Sequence, residues 1–202
     1  MQPIQETVDV LIIGAGLCGV TVARSLNDAK NQSWKLIEKS RSVGGRMATR
    51  RIEDARFDHG AQFFTVRSES FKSEVENWLK NGTCKEWVRG FGDNRDDGHP
   101  RYVGTNGMNH IVKEFASSLP KQNIALNEKV IDITLVNESI AVTSESGAKC
   151  FSNKLVLTSP LTQTIAMMAK FPLDQKVSKI IERLGGVSYD PCVAVMGFFD
   201  PD

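Results

Sequence analysis

Residues 9–19 read Asp-Val-Leu-Ile-Ile-Gly-Ala-Gly-Leu-Cys-Gly. The first five form a β-branched and aliphatic run, which is typical of a central parallel strand that is covered on both faces. Val20 to Leu26 continues with helical spacing, and Trp34 to Glu38 has the composition of a second strand. The spacing therefore predicts a strand–turn–helix–strand unit of about 30 residues.

The turn of this unit has the glycine pattern G-x-G-x-x-G, between a predicted strand and a predicted helix. Gly14 permits a tight turn, Gly16 lets a pyrophosphate approach the backbone, and Gly19 lets the helix pack closely on the strand. The start of the helix offers free N–H groups and about half a positive charge to the phosphates. We therefore predict a dinucleotide site at Gly14, Ala15, Gly16 and Gly19; a glycine turn without a ligand is the alternative.

Glu38 stands at the end of the second predicted strand, where an acidic residue hydrogen-bonds the adenosine ribose in dinucleotide sites. Its carboxylate would repel a 2′-phosphate, so FAD or NAD is favoured over NADP as the tightly held nucleotide. A solvated strand-end charge is the alternative. Lys39, the next residue, is included in the predicted site.

The segment Gly44-Gly45-Arg46-Met47 favours FAD over NAD. The glycine pair lets the backbone pass close to a bound nucleotide, and Arg46 can offer a guanidinium fork to its pyrophosphate. We predict Gly45, Arg46 and Met47 as cofactor-binding residues. Four more arginines surround this segment and fit a solvated face better than a nucleic-acid patch: Arg41, Arg50, Arg51 and Arg56.

The composition is that of an ordinary globular protein, with 41% hydrophobic and 24% charged residues among 202. A net charge of +1 favours neither a nucleic-acid nor a membrane partner. The four cysteines are widely spaced without a C-x-x-C pair, which predicts no metal site and a reducing compartment. The longest apolar stretch, Val8 to Ala23, is too short and glycine-rich for a membrane span, so we expect a cytoplasmic protein.

The rest of the chain predicts further elements. Residues 40–62 are rich in glycine and arginine and are expected to form an extended functional loop, and residues 90–99 an exposed loop. Apolar spacing predicts helices around residues 71–79, 108–119 and 174–184. Predicted strands are 129–136, 139–145, 155–158 and 193–199. The expected fold class is α/β: a Rossmann-like domain with a mainly parallel sheet, plus part of a second, α+β domain.

Several segments together resemble the renalase-like flavoproteins of the flavin amine oxidase family. They are Gly14–Gly19, Glu38, Gly44–Thr49, Phe57–Thr65, Arg101–Met108 and Ser188–Pro191. The resemblance runs through nearly all of the chain, and its Gly-Gly-Arg-Met and Asp-His-Gly-Ala-Gln motifs are more specific than the dinucleotide turn.

The resemblance implies an FAD-binding domain at residues 1–70 and 102–160, interleaved with part of a substrate domain at 71–101 and 161–202. It places Gly60, Ala61 and Gln62 near the flavin ring and the backbone of Val130 at the adenine. The family's final segment carries a Gly-Asp that touches the flavin's ribityl chain and phosphates. This sequence lacks that segment, and its abrupt end suggests a fragment.

The activity implied is that of an FAD-dependent oxidoreductase. It would oxidise a reduced nicotinamide compound, such as an aberrant NAD(P)H isomer, with oxygen as the acceptor. No catalytic acid or base is identified. Three alternatives stay open: a flavin amine oxidase, an FAD-binding fragment without activity, and an NAD-dependent dehydrogenase.

Overall fold

A computed structural model of the chain describes residues 5–91, 98–169 and 171–198. In chain order its helices and strands are β1 (Gln5–Ile13), α1 (Leu17–Ala29), β2 (Trp34–Ile37), β3 (Thr49–Ile52), β4 (Ala55–Asp58), α2 (Glu69–Lys80), β5 (Cys84–Val88), β6 (Arg101–Gly104), α3 (Asn109–Ser117), β7 (Ile124–Ala125), β8 (Val130–Val136), β9 (Ser139–Ser144), β10 (Lys149–Leu157), α4 (Leu161–Met168) and α5 (Gln175–Gly185). Short 3-10 helices cover Gly45–Met47 and Lys121–Asn123.

The chain divides into two compact units. The sheet unit comprises Met1–Val43 and Ser118–Cys192, and the hairpin unit comprises Gly44–Ser117 and Val193–Asp202. The predicted FAD-binding domain and partial substrate domain are defined by what they would bind, whereas the two units are defined by compactness. The predicted division stays a prediction.

The sheet unit contains a six-stranded sheet in the order β7-β2-β1-β10-β9-β8. The pairings of β7 with β2, β2 with β1, and β1 with β10 are parallel, whereas β9 pairs antiparallel with both β10 and β8. Ile13 lies opposite both Ile37 and Leu157, so the carboxyl ends of three parallel strands meet at one edge. The α/β class with a mainly parallel sheet is confirmed.

β1 is central because its side chains are apolar on both faces. Leu11 and Ile12, which point to opposite sides of the sheet, are both fully buried. Leu11 and Ile13 belong to a core cluster that also includes Ile133 of β8 and Met168 of α4. This core fixes the strand ends that carry the candidate site.

The hairpin unit contains two separate antiparallel pairs, β3 with β4 and β5 with β6. Ser68 caps α2 by accepting a hydrogen bond from the backbone N–H of Phe71 at 3.3 Å. The core of this unit includes Val75 and Trp78 of α2 and Ile111 of α3. The helices predicted around residues 71–79 and 108–119 are confirmed.

Two sequence-based expectations are wrong. Residues 40–62 are not one extended loop, because Thr49–Ile52 and Ala55–Asp58 pair as a hairpin after the 3-10 helix. Residues 193–198 form no strand: no strand within the described residues pairs with them, and Val193 and Val195 are 87% and 92% exposed. Phe199, and residues 92–97 of the predicted 90–99 loop, lie outside the described residues.

The other predicted helices and strands differ from the observed ones only in length, and some observed elements were not predicted. The strand predicted at 155–158 begins at Lys149, because its first half pairs with β9. The helix predicted from 174 is confirmed, and Asp174 caps it by accepting from the N–H of Val177 at 2.7 Å. β5, β6, β7 and α4 were not predicted.

Candidate functional site

The turn after β1 is held between two neighbouring strands. The N–H of Gly14 donates to the carbonyl of Ile37 at 2.9 Å. The Thr158 hydroxyl lies 3.0 Å from the carbonyl oxygen of Ile13 and 2.9 Å from that of Gly14. Gly14 has a φ of +103°, and a Cβ there would lie 2.7 Å from the Thr158 hydroxyl oxygen. The turn therefore requires glycine at position 14.

Gly16 and Gly19 have different roles in this turn. A Cβ at Gly19 would lie 1.9 Å from the carbonyl oxygen of Gly14, so the close packing of α1 on the turn excludes any side chain. Gly16 precedes α1 with φ −72° and ψ 179°, a conformation that any residue adopts. Backbone conformation thus does not explain the glycine at 16, whereas close approach of a ligand would.

The start of α1 is suited to an anion. The first turn of α1 contains no acidic residue, and among the residues described here no side chain caps its N–H groups. The unpaired N–H groups and the helix dipole leave partial positive charge at this end. The same geometry accommodates phosphate in dinucleotide sites.

Glu38 is the buried charge of the site, only 7% exposed. Its Oε2 accepts a hydrogen bond from the N–H of Ala15 at 2.7 Å, and its Oε1 accepts from the N–H of Ser40 at 2.9 Å. A carboxylate has about four acceptor positions, so both oxygens can accept further hydrogen bonds. The structure brings Glu38 onto the glycine turn, and its predicted hydrogen bond to a ribose stays a prediction.

Lys39 and Val130 are the other predicted site residues of the sheet unit. The Lys39 ammonium donates to the Gln163 side-chain oxygen at 3.1 Å on the surface. Val130 begins β8 beside a register irregularity, and its half-buried side chain packs on the core. Their assignment to the cofactor stays a prediction.

The hairpin unit brings together its two predicted segments. Gly44 and Gly45 have φ values of +143° and +53°, and they lead into the 3-10 helix that exposes Arg46. The N–H of Ala61 donates to the Arg46 carbonyl at 2.8 Å, and a Cβ at Gly60 would lie 2.1 Å from that carbonyl oxygen. The Gly-Gly-Arg and Gly-Ala-Gln motifs therefore form one local structure.

Met47 and Gln62 complete this local structure. Met47 packs against the hairpin-unit core, so its side chain supports the turn. Gln62 is exposed. Whether Gly45, Arg46, Met47, Gly60, Ala61 and Gln62 bind the cofactor stays a prediction from the sequence.

Some structural residues of the site were not predicted. Thr158 holds the glycine turn from 144 residues away, and the available signal was a hydroxyl at the last position of the strand predicted at 155–158. In the hairpin unit, Asp58 Oδ1 accepts from the Thr49 hydroxyl at 2.6 Å and from the Met108 N–H at 2.9 Å. These bonds hold the β3–β4 hairpin against the start of α3.

Three aromatic side chains form an exposed cluster in the hairpin unit. Phe63 lies 5.5 Å from Phe91 and 6.2 Å from Trp87 between ring centroids, and all three are at least 36% exposed. The exposure of Trp87 and Phe91 places both side chains outside the core. Trp78, in contrast, is buried.

The four cysteines should react unequally with a thiol reagent. Burial raises the pKa of Cys84, and burial together with the nearby Glu6 carboxylate raises the pKa of Cys150 to about 11. Because the thiolate is the reactive form, we expect native protein at pH 8 to be labelled at the exposed Cys18 and Cys192 only. Peptide mass mapping after iodoacetamide checks this, with urea-unfolded protein as the control; equally fast labelling of Cys150 would contradict it.

Comparison with known proteins supports the fold. Residues 12–78 match the family described as NAD(P)-binding Rossmann-like domain. A structure of putrescine oxidase bound to putrescine aligns with a TM-score of 0.67 and 14% identity, covering 89% of this chain and 64% of that one. The CLA-producing fatty acid isomerase from P. acnes aligns with a TM-score of 0.65 and 12% identity, covering 87% and 63%.

A closed structure of cyclohexanone monooxygenase aligns less completely, with a TM-score of 0.51 and 15% identity over 78% of this chain and 27% of that one. Identities this low show a shared fold and no more. The protein therefore has a Rossmann-like domain in a fold that it shares with an amine oxidase and a monooxygenase. It spans 64% of the length of the putrescine oxidase chain.

In the part of the chain that the structure describes, no helix has the length and apolar character needed to cross a membrane.

Proposed function

We propose that the protein is an FAD-dependent oxidoreductase of renalase type, which oxidises a reduced nicotinamide compound and passes the electrons to oxygen. The observation that carries the proposal is the buried Glu38 carboxylate, held at 2.7 Å on the N–H of Ala15 inside the glycine turn. A carboxylate at this position, beside a helix start suited to a pyrophosphate, supports a role for Glu38 as acceptor for ribose hydroxyls.

The residues of the turn fit the adenosine diphosphate part of FAD. Gly16 has a backbone conformation that does not need glycine, and a ligand that approaches the backbone would account for the missing side chain. Gly14 and Gly19 are glycine for reasons internal to the turn. A dinucleotide site therefore accounts for a glycine that the backbone conformation leaves unexplained.

FAD is preferred to NAD on the second set of motifs. The Gly-Gly-Arg and Gly-Ala-Gln segments are joined through the carbonyl of Arg46, and together they resemble those of flavoproteins. The Gly-Gly-Arg motif therefore argues against a nicotinamide-dependent dehydrogenase. The match to putrescine oxidase also covers 89% of the chain, well beyond residues 12–78.

A bound flavin would supply the redox chemistry, namely hydride acceptance and the reduction of oxygen. The roles proposed for the protein's residues are binding and orientation. Glu38 holds the ribose, the start of α1 receives the phosphates, and Thr158 keeps the turn closed through its bonds to the backbone. Arg46, exposed on its 3-10 helix, is free to turn its guanidinium toward an anionic ligand.

An amine oxidase is the second candidate, favoured by the fold shared with putrescine oxidase, whose structure holds putrescine. The two candidates differ in substrate and share the cofactor. A peroxide assay over a panel of dihydronicotinamides and amines separates them: turnover of amines alone would contradict the renalase-type activity.

The cofactor is tested first by absorbance. We expect the purified protein to show a flavin spectrum, or to acquire one on titration with FAD, and heat to release FAD by mass. NAD should bind at least about 10-fold more weakly, because it fills only the nucleotide half of such a site. Tighter binding of NAD than of FAD would instead support a dehydrogenase.

Replacing Glu38 tests the position of the cofactor. We expect Glu38→Ala to weaken FAD binding about 10- to 100-fold, because hydrogen bonds to a charged group contribute roughly 1.5–3 kcal/mol. It also leaves the Ala15 and Ser40 N–H groups without their acceptor. Fluorescence titration with FAD measures the change.

Two further variants control this experiment. Glu38→Gln keeps one acceptor oxygen and should bind FAD with intermediate affinity. Glu182→Ala removes an exposed carboxylate from α5 and should bind like the wild type. Unchanged affinity in Glu38→Ala would show that the adenosine does not lie at this turn.

A further inference from the structure

The β3–β4 hairpin places two arginines directly opposite each other. Arg51 pairs with Arg56 in the antiparallel register, and Thr49 pairs with Asp58 two positions away. Because successive side chains alternate between faces, these four residues share one face and Arg50 lies on the other. Like charges in opposite positions destabilise a strand pair. The Arg51–Arg56 pair therefore lowers the stability of the hairpin, and the formation of the hairpin does not explain why both positions are arginine.

A third cation lies on the same side of the hairpin. The Thr49 hydroxyl oxygen accepts from the N–H of Asn109 at 3.0 Å, and Asp58 accepts from the N–H of Met108 at 2.9 Å. The start of α3 is thereby fixed against the face that carries the arginine pair. Lys113 lies four residues after Asn109, on the same side of the helix.

This face carries an excess of positive charge. Burial and, after it, the nearby Arg51 charge lower the pKa of Lys113. No described carboxylate forms an ion pair with Arg51, Arg56 or Lys113. Asp58 shares the face and supplies one negative charge against the three cations; its Oδ1 accepts from the Thr49 hydroxyl and the Met108 N–H.

We propose that Arg51, Arg56 and Lys113 form an anion site for the phosphate groups of a nucleotide substrate. Two guanidinium forks and an ammonium are the donors that phosphate oxygens accept in a chelating arrangement. The site covers one face of a hairpin with four residues in each strand, and the net charge of the chain is +1. Both features fit a small phosphate compound better than a nucleic acid.

The identity of the nucleotide rests on the proposed function: it is the dihydronicotinamide nucleotide whose ring reduces the flavin. The site then sets specificity. Substrates with a phosphate are favoured over the riboside, and cationic amines are repelled.

Pyrophosphate binding tests the site directly. Inorganic pyrophosphate is titrated calorimetrically into protein that contains saturating FAD, so that the cofactor site is occupied. We expect the Arg51→Gln/Arg56→Gln double variant to bind at least about 10-fold more weakly than the wild type. Arg50→Gln removes one arginine from the opposite face and should change the affinity less than about 2-fold.

Thermal unfolding separates a binding role from a structural one. Without pyrophosphate, the double variant should unfold about 1–2 °C higher than the wild type, because the like-charge pair is gone. With pyrophosphate, the wild type should gain stability and the double variant should not. A variant that unfolds at lower temperature in both conditions would indicate a structural role and overturn the proposal.

Flavin reduction tests the substrate. For dihydronicotinamide mononucleotide, kcat/KM should fall about 10-fold in the double variant, and for dihydronicotinamide riboside less than about 2-fold. Three results would overturn the proposal: no pyrophosphate binding by the wild type, an equal loss in Arg50→Gln, or tighter binding of a single-stranded oligonucleotide. Pyrophosphate binding that is lost in the double variant, with no flavin reduction by either compound, would support the anion site and refute the proposed function.

Discussion

Gly16→Val is expected to leave the fold intact and to weaken FAD binding by about 100-fold or more, equivalent to about 2.7 kcal/mol. The φ and ψ of Gly16, −72° and 179°, suit valine, so the backbone need not move. The branched side chain would stand at the start of α1, where the pyrophosphate must approach the backbone N–H groups. Fluorescence titration measures the affinity, and circular dichroism checks the fold.

Gly185→Val is the matched control for this variant. Gly185 ends α5, and a Cβ there would meet no atom within 4 Å. The same substitution should therefore leave FAD binding unchanged, and it brings no cost in helix propensity because valine has a higher helix propensity than glycine. FAD affinity within about 3-fold of the wild type in Gly16→Val would mean that the turn is not the phosphate site, since a factor of 3 is only about 0.65 kcal/mol.

The strand–helix–strand segment β1–α1–β2 was predictable because its sequence signals are local. The apolar run at β1 needs only its own composition to indicate a buried strand. The glycine pattern and Glu38 then follow at fixed distances along the chain. This is why spacing could predict Glu38 and the turn as parts of one site, whereas the hydrogen bond of 2.7 Å from the N–H of Ala15 to Glu38 was not predicted.

The errors arise where a structure depends on a distant partner. Residues 193–199 have the apolar composition of a strand, yet residues 193–198 find no strand to pair with. The β3–β4 hairpin was missed because arginine and glycine dominate its surroundings and its turn, at Glu53-Asp54, lacks glycine. β5 is likewise short and polar, and it is a strand because β6 pairs with it.

The site shows the same limit. Thr158 contacts the turn only because β10 is the parallel neighbour of β1, and this register cannot be derived from composition. The start of α3 is held on the β3–β4 hairpin by a hydrogen bond from the Met108 N–H to Asp58, two residues that are 50 positions apart in the sequence. Sequence patterns therefore identify the residues that face a ligand more readily than those that hold the site together.

Gly19→Ala should produce the opposite result from Gly16→Val, a loss of stability that brings the loss of FAD binding with it. A Cβ at position 19 would lie 1.9 Å from the carbonyl oxygen of Gly14 and 3.0 Å from the Thr158 hydroxyl. Both groups are fixed, because the oxygen belongs to the backbone and the hydroxyl is bonded to it. We expect a loss of about 3 kcal/mol or more, at the upper end of overpacking costs.

Thermal unfolding of Gly19→Ala without ligand should show a midpoint about 6–12 °C below that of the wild type, from roughly 2–4 °C per kcal/mol in a chain of this size. Gly185→Ala, in open space, should not lower it. If Gly19→Ala unfolds at the wild-type temperature, α1 does not pack on the turn as described. The two variants together separate causes: position 19 tests whether the turn forms, and position 16 tests whether the formed turn binds the cofactor. If the turn were required only for folding, Gly19→Ala would lower the unfolding temperature and Gly16→Val would leave FAD binding unchanged.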